Sequence, residues 1–189
     1  MAQAKTLTQA EIDQVLRYIS TKKFAFRDRA MFLTGLWSGM RVKEIAALRL
    51  RDVVNADGTV RAEIRLSAEQ TKGHHARTVF LPEKLREELA HYLAKRYSKM
   101  PDLPVFYTAQ RAGFTANTLC QHFFWLFKRA GIAAASSHSM RRTFITSLAS
   151  KGVGIRVLAN LAGHRGGVAV TMRYIDANEN MMRNAVELI

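Results

Sequence analysis

The sequence predicts a mainly α-helical α+β domain with one small antiparallel β-hairpin, and three observations carry that reading. Apolar residues recur at helical spacing through most of the chain; the period shortens to two residues only between Val60 and Leu81; and glycines stand where the helical runs end. Apolar residues make up 48% of the 189, enough for a packed core, and that length suits a single domain over residues 1–189.

Thr8-Gln9-Ala10-Glu11 is a capping box, whose hydroxyl and carboxylate satisfy free N–H groups in the first turn of a helix carrying Ile12, Val15, Leu16 and Ile19. A second helix is expected over Asp28 to Ser38, broken at Gly39. A third begins near Met40-Arg41 and turns Val42, Ile45, Ala46 and Leu48 inward. Val60, Ala62, Ile64 and Leu66 then alternate with Arg61, Glu63 and Arg65, the signature of a half-buried strand. Val79-Phe80-Leu81 forms the return strand, and the polar stretch Ser67 to Arg77 around Gly73 is the hairpin connection. Pro82 opens a helix lined by Leu85, Leu89, Tyr92 and Leu93, because proline fits the first helical position. Residues 99–114, with Pro101, Pro104 and Gly113, read as a loop. A helix with Leu119, His122, Phe123, Leu126 and Phe127 on one side follows and ends at Gly131. The last third reads as short helices, 138–150 closed by Gly152, 155–162 closed by Gly163, 168–175, and a terminal segment.

Lys and Arg number 29 against 15 Asp and Glu, a formal charge of +14, and the sequence pI is about 10.5. The excess is spread along the chain, so the expected partner is a polyanion, nucleic acid first, bound by a surface of the fold itself. No apolar run approaches the ~18 residues of a membrane span and no apolar signal segment opens the chain, which points to a cytoplasmic protein without membrane contact. The single Cys120 excludes an intrachain disulfide and a cysteine-built zinc site. His74 and His75 are adjacent in a polar loop, poor geometry for sharing a metal.

Several polar groups stand in helical context. His138 and Arg141 are three apart and share a helix face, either as an anion-binding pair or as a capped, solvated basic turn. Arg41 follows a helix break, where its guanidinium can join free backbone N–H groups on a phosphate, and Glu44 lies one turn on to orient it. An amphipathic surface helix or half of a helix-turn-helix reads the same residues equally well. Lys72 sits near the hairpin tip; such lysines are usually idle, but one at a phosphate site can protonate a leaving oxygen. His164 follows a helix end, and Tyr174 lies ten residues on, flanked by Thr171 and Arg173. Tyr18, Tyr92, Tyr97 and Tyr107 all suit a packed role better than Tyr174 does.

In order and context, Arg41, Lys72, His138-x-x-Arg141, His164 and Tyr174 resemble the tyrosine recombinase (phage integrase) family. The resemblance runs from about residue 7 to 180, through Gly39-Met40-Arg41-Val42-Lys43-Glu44, the lysine hairpin, His138-Ser139-Met140-Arg141-Arg142-Thr143-Phe144, Leu161-Ala162-Gly163-His164 and Met172-Arg173-Tyr174. Arg41 and His138 stand 97 positions apart, and Arg141 and Tyr174 stand 33 apart. The resemblance implies the family's catalytic fold and a site-specific recombinase that cleaves DNA through a 3′-phosphotyrosyl link. Tyr174 is then the nucleophile, Arg41, Arg141 and with them His164 meet the charge on the phosphate, His138 belongs to the same catalytic set, an imidazole accepts the nucleophile's proton or holds the phosphate, and Lys72 protonates the departing 5′-oxygen. Glu44, Arg142, Arg165 and Arg173 support the site or contact DNA phosphates. No metal or other cofactor is needed, since placed cations take that role, and a homotetramer on double-stranded DNA is implied, with a monomer in solution. The sequence departs from the family pattern twice. No core-binding domain precedes Thr8, which implies a catalytic-domain-only or excised form, and the His164 to Tyr174 gap is one residue longer, at Gly166-Gly167. The terminal segment 178–189, with Met181, Met182, Val186 and Leu188, packs either on its own domain or on a neighbour. Relaxation of supercoils, as by type IB topoisomerases, and a non-catalytic DNA-binding regulator are the alternative functions.

Overall fold

A computed structural model describes residues 4–71, 75–96, 100–110, 112–164, 166–175, 182–183 and 186–187. Lys72, Arg165 and most of the terminal segment 178–189 lie outside the described residues. The chain runs α1 (Gln9–Ser20), α2 (Ala25–Ser38), α3 (Val42–Ala47), α4 (Leu50–Val53), β1 (Glu63–Leu66), β2 (Arg77–Phe80), α5 (Glu83–Ala94), α6 (Ala116–Arg129), α7 (Ser139–Ser150), α8 (Ile155–Ala162) and α9 (Gly167–Met172). This is the mainly helical architecture with one antiparallel hairpin that the periodicity predicts. No helix among the described residues is long and apolar enough to cross a membrane.

The capping box of α1 forms as its sequence dictates. The Thr8 hydroxyl accepts from the Glu11 N–H, and Glu11 accepts from the Thr8 N–H at 3.0 Å. Helix α2 is the centre of the fold, packed against α1, α3, α5 and α7 and buried over most of its length. It begins at Ala25, earlier than the polarity of Arg27-Asp28 allows one to expect. Those two residues are an internal ion pair: Arg27 Nε donates to Asp28 Oδ1 at 2.8 Å and Nη1 to the Tyr107 carbonyl at 2.8 Å. The Phe24 ring also lies under the guanidinium, 4.3 Å away. Charge that reads as a helix boundary in sequence is thus packed as core.

The sheet has two strands, with Ile64 opposite Val79 and Leu66 opposite Arg77. It starts at Glu63 instead of Val60, which makes only an isolated bridge to Val54. The return strand opens earlier, at Arg77, because Arg77 pairs with Leu66 and its side chain has partners in the interior. A lone hairpin is marginal in water; this one packs against α4. That single turn, unseen in the periodicity, is held from outside by Leu50 N–H to the Leu103 carbonyl and Arg51 N–H to the Pro101 carbonyl. Tyr92 takes the ordinary structural role: its hydroxyl donates to the Val105 carbonyl at 2.9 Å, and burial pushes its phenol above the usual range.

Candidate active site

Two helix ends meet at the site, and each is terminated by a glycine in the left-handed region. Gly39 closes α2 at φ 63° and Gly163 closes α8 at φ 62°. At the end of α8 the chain forms a Schellman turn, with Gly163 N–H to the Asn160 carbonyl and His164 N–H to the Ala159 carbonyl, both at 2.9 Å. That pattern leaves three successive carbonyls, those of Leu161, Ala162 and Gly163, pointing off the negative end of the helix. Each takes a different arginine. Arg77 Nη1 donates to Leu161 at 3.0 Å, Arg141 Nη2 to Ala162, and Arg41 Nη2 to Gly163 at 3.1 Å. Arg141 also reaches the other helix end, donating to the Gly39 carbonyl at 2.7 Å.

A buried carboxylate ties the cluster together. Glu44, one turn into α3, accepts from the Arg41 N–H at 2.7 Å and Arg41 Nη1 at 3.2 Å, and from Arg77 Nε at 3.1 Å and Nη2 at 2.7 Å. Burial alone would push its carboxyl upward, but the bonds to Arg77 and the nearby arginine charges prevail and hold it below the usual carboxylate range. Arg141 is buried, and desolvation together with the facing Arg41 brings its pKa down to about 10, still fully charged near neutrality. Three guanidinium groups near one carboxylate leave a surplus of positive charge beside a pocket of about 440 Å³, which Arg41 and Arg77 line. Arg41, Thr71, His75, Arg77, Gly163 and His164 are among its lining residues.

His164 follows directly from the Schellman turn into this pocket. Burial, and then the charges of Arg141, Arg41 and Arg77, lower its pKa to about 4, so the imidazole is neutral at physiological pH. Its Nδ1 lies 2.9 Å from Thr171 Oγ1. The Tyr174 ring stacks on it, centroids 5.0 Å apart and planes 27° from parallel. Between these two residues Gly167 adopts φ 68°, a left-handed conformation that glycine takes without strain. Tyr174 is held at the end of α9 by its carbonyl, which accepts from the Thr146 hydroxyl at 2.8 Å. The Arg142 guanidinium lies 6.0 Å from the Tyr174 ring and donates to the Arg173 carbonyl at 3.2 Å.

Of the residues singled out in the sequence, Arg41, Glu44, Arg141, His164 and Tyr174 come together, with Arg142 behind the phenol. His138 stands at the exposed N-terminal cap of α7, one turn before Arg141, and does not line the pocket. Arg173 is exposed beside Tyr174. The sequence reading missed Arg77 and Thr171. For Arg77 a signal exists: the two-residue period puts it on the same face as Val79 and Leu81, where an arginine needs a buried counter-charge.

A set of placed cations, a neutral imidazole and a stacked phenol makes a site that can hold an anionic group. The model of the phage integrase family matches residues 5–181, and the chain belongs to that family. It is 27% identical over 186 residues to tyrosine recombinase XerA of Pyrococcus furiosus, covering 97% of this chain and 61% of that protein. It is 23% identical over 190 residues to transposase A from transposon Tn554 of Staphylococcus aureus, covering 96% and 51%. The chain thus spans roughly half to three-fifths of the length of these curated relatives. Among solved structures, the XerA recombinase crystal structure aligns with a TM-score of 0.79 at 25% identity, over 100% of this chain and 64% of that one. The XerH site-specific recombinase bound to its palindromic difH substrate aligns with a TM-score of 0.73 at 20% identity, over 96% and 51%, a likeness of fold.

Proposed function

We propose that this chain cleaves and rejoins DNA strands at specific sites, with Tyr174 as the nucleophile. The observation that carries the reading is one pocket lined by Arg41, Arg77 and a neutral His164, with the buried Arg141 bonded to the Ala162 carbonyl between their acceptors and the Tyr174 ring against the imidazole. A phosphodiester brings one negative charge, and its pentavalent transition state brings more. Arginines already fixed by carbonyls and Glu44 meet that charge without rearranging. Each such donor is worth about 3 kcal/mol, a hundredfold or more in rate. The Tyr174 oxygen attacks phosphorus and gives its proton to His164, while the bond to the 5′-oxygen breaks. Lys72 supplies the proton to that oxygen. A 5′-hydroxyl from another strand then attacks the 3′-phosphotyrosyl link and releases the phenol, so no external energy source is consumed. His138 and Arg173 contact phosphates flanking the scissile one in this reading. Double-stranded DNA as partner draws support from the DNA-bound recombinase that shares the fold and from the charge of +14. Four copies assemble on paired sites, the protein working in the cytoplasm, and the terminal segment 178–189 either stays on its own domain or crosses to a neighbour.

The test begins with a site selected by the protein from random duplex DNA. A nicked version of that site, which loses its 5′-hydroxyl fragment on cleavage, traps a covalent complex on a denaturing gel. Tyr174→Phe is expected to abolish the complex while leaving DNA binding intact; an adduct formed by Tyr174→Phe overturns the assignment.

A further inference from the structure

The pocket lined by Arg41, Arg77 and His164 carries a second imidazole that the proposed reaction does not use. His75 also lines it, exposed to solvent, on the chain leading into β2. A buried neighbour fixes its main chain. The Thr71 hydroxyl accepts from the His75 N–H at 3.1 Å and donates to the His75 carbonyl at 2.8 Å, and Thr71 is only 3% exposed. Thr71 is tied in turn to α3, because Lys43 Nζ donates to its carbonyl at 3.1 Å. Two residues beyond His75, Arg77 is pinned to Glu44 and to the Leu161 carbonyl. His75 thus stands between two anchored residues, and its main chain is held at the pocket.

The other lining residues narrow the choice of further donors. The Thr71 hydroxyl is engaged by main-chain groups, and Ala76, Ala159 and Gly163 bring no polar side chain. Among the described lining residues that leaves His75 and Asn160. Asn160 is always neutral, whereas an imidazole takes up a proton beside a phosphate and then makes the stronger, charge-assisted bond. We propose that His75 is a further substrate-contacting residue, whose imidazole donates to a non-bridging oxygen of the phosphate held by Arg41 and Arg77. That this phosphate is the scissile one rests on the strand-cleavage reading above; the contact itself requires only DNA bound in the pocket.

Binding is read in the Tyr174→Phe chain, on the selected duplex with one neutral methylphosphonate placed in turn at each phosphate around the cleavage position. On unmodified DNA, adding His75→Ala is expected to weaken binding about 10- to 100-fold, the effect of losing a hydrogen bond to a charged group. His75→Gln, which keeps a side-chain donor, recovers most of that loss. At the phosphate where a methylphosphonate and Arg41→Gln share their effect, His75→Ala is expected to share it too, so the combined loss is smaller than the product of the two. At every other phosphate the losses multiply. A shared effect at no phosphate, or only at one that Arg41 does not contact, overturns the proposal, as does coupling that follows Asn160→Ala in place of His75→Ala. A purely structural His75 would weaken binding without regard to which phosphate is neutral. If no chain that keeps Tyr174 forms an adduct, the strand-cleavage reading falls, while the coupling measured in Tyr174→Phe still decides the contact.

Discussion

Arg77→Met is the perturbation that most sharply separates a structural arginine from a bystander. Arg77 gives two of the four hydrogen bonds that Glu44 accepts, and Glu44 is wholly buried. Removing one partner of a buried charge pair costs about 3–5 kcal/mol, because the remaining charge is left short of compensation. Arg41 still bonds Glu44, so the lower end, about 3 kcal/mol, is the expected loss. The Leu161 carbonyl loses its donor as well. For a domain of this size that loss lowers Tm by roughly 6–12 °C. Urea unfolding monitored by circular dichroism measures it. Adding Glu44→Gln to Arg77→Met removes the stranded charge, so the double variant is expected to lose less than the two singles summed. A loss under about 1 kcal/mol for Arg77→Met, or strictly additive losses, refutes the claim that Arg77 and Glu44 act as a unit.

The pH dependence of the site follows from His164. Its folded pKa of about 4 lies below the ordinary 6.5. Below 6.5 the unfolded chain takes up a proton that the folded one refuses, so this group leaves stability untouched above about pH 6.5 and erodes it as pH falls toward 4. NMR titration is expected to give an imidazole pKa well under 6.5 that rises in Arg41→Gln; an ordinary value in the wild type contradicts the burial and charge described. Gly39→Ala places a methyl at φ 63° against the Phe144 ring and disturbs the carbonyl that holds Arg141. The left-handed conformation and the overpacking together cost about 2–4 kcal/mol; a Tm unchanged from wild type refutes that packing. DNA affinity is expected to fall steeply with salt, with Arg41→Gln reducing the magnitude of the log–log slope by about 0.9 as one phosphate contact is lost; an unchanged slope removes Arg41 from the DNA.

Much of the fold was legible because its signals are local. The Thr8–Glu11 capping box, the glycines that end α2 and α8, and the two-residue period of β1 each act within a few residues. What escaped depends on partners far along the chain. Arg27-Asp28 reads as a polar helix start, yet Tyr107 and Phe24 make it interior. Helix α4 is too short for a period to show. At the site, the arginine and histidine motifs pointed to Arg41, Arg141 and His164, which the fold brings together, without saying what fixes them. The donors to the α8 carbonyls come from Arg41 and Arg77, 122 and 84 positions away from their acceptors. Arg77 hid in a stretch read as a polar hairpin connection.

The central claim is that one phosphate is gripped by the arginine cluster and attacked by the phenol stacked on His164. Mass spectrometry of the trapped protein–DNA complex tests it most directly. Trypsin cuts after Arg173 and Arg183, so the peptide Tyr174-Ile175-Asp176-Ala177-Asn178-Glu179-Asn180-Met181-Met182-Arg183 is expected to carry the 3′-phosphate of the cleaved strand on its first residue. The nucleotide mass on any other tyrosine peptide, or a cleaved strand ending in free phosphate with no peptide attached, contradicts it.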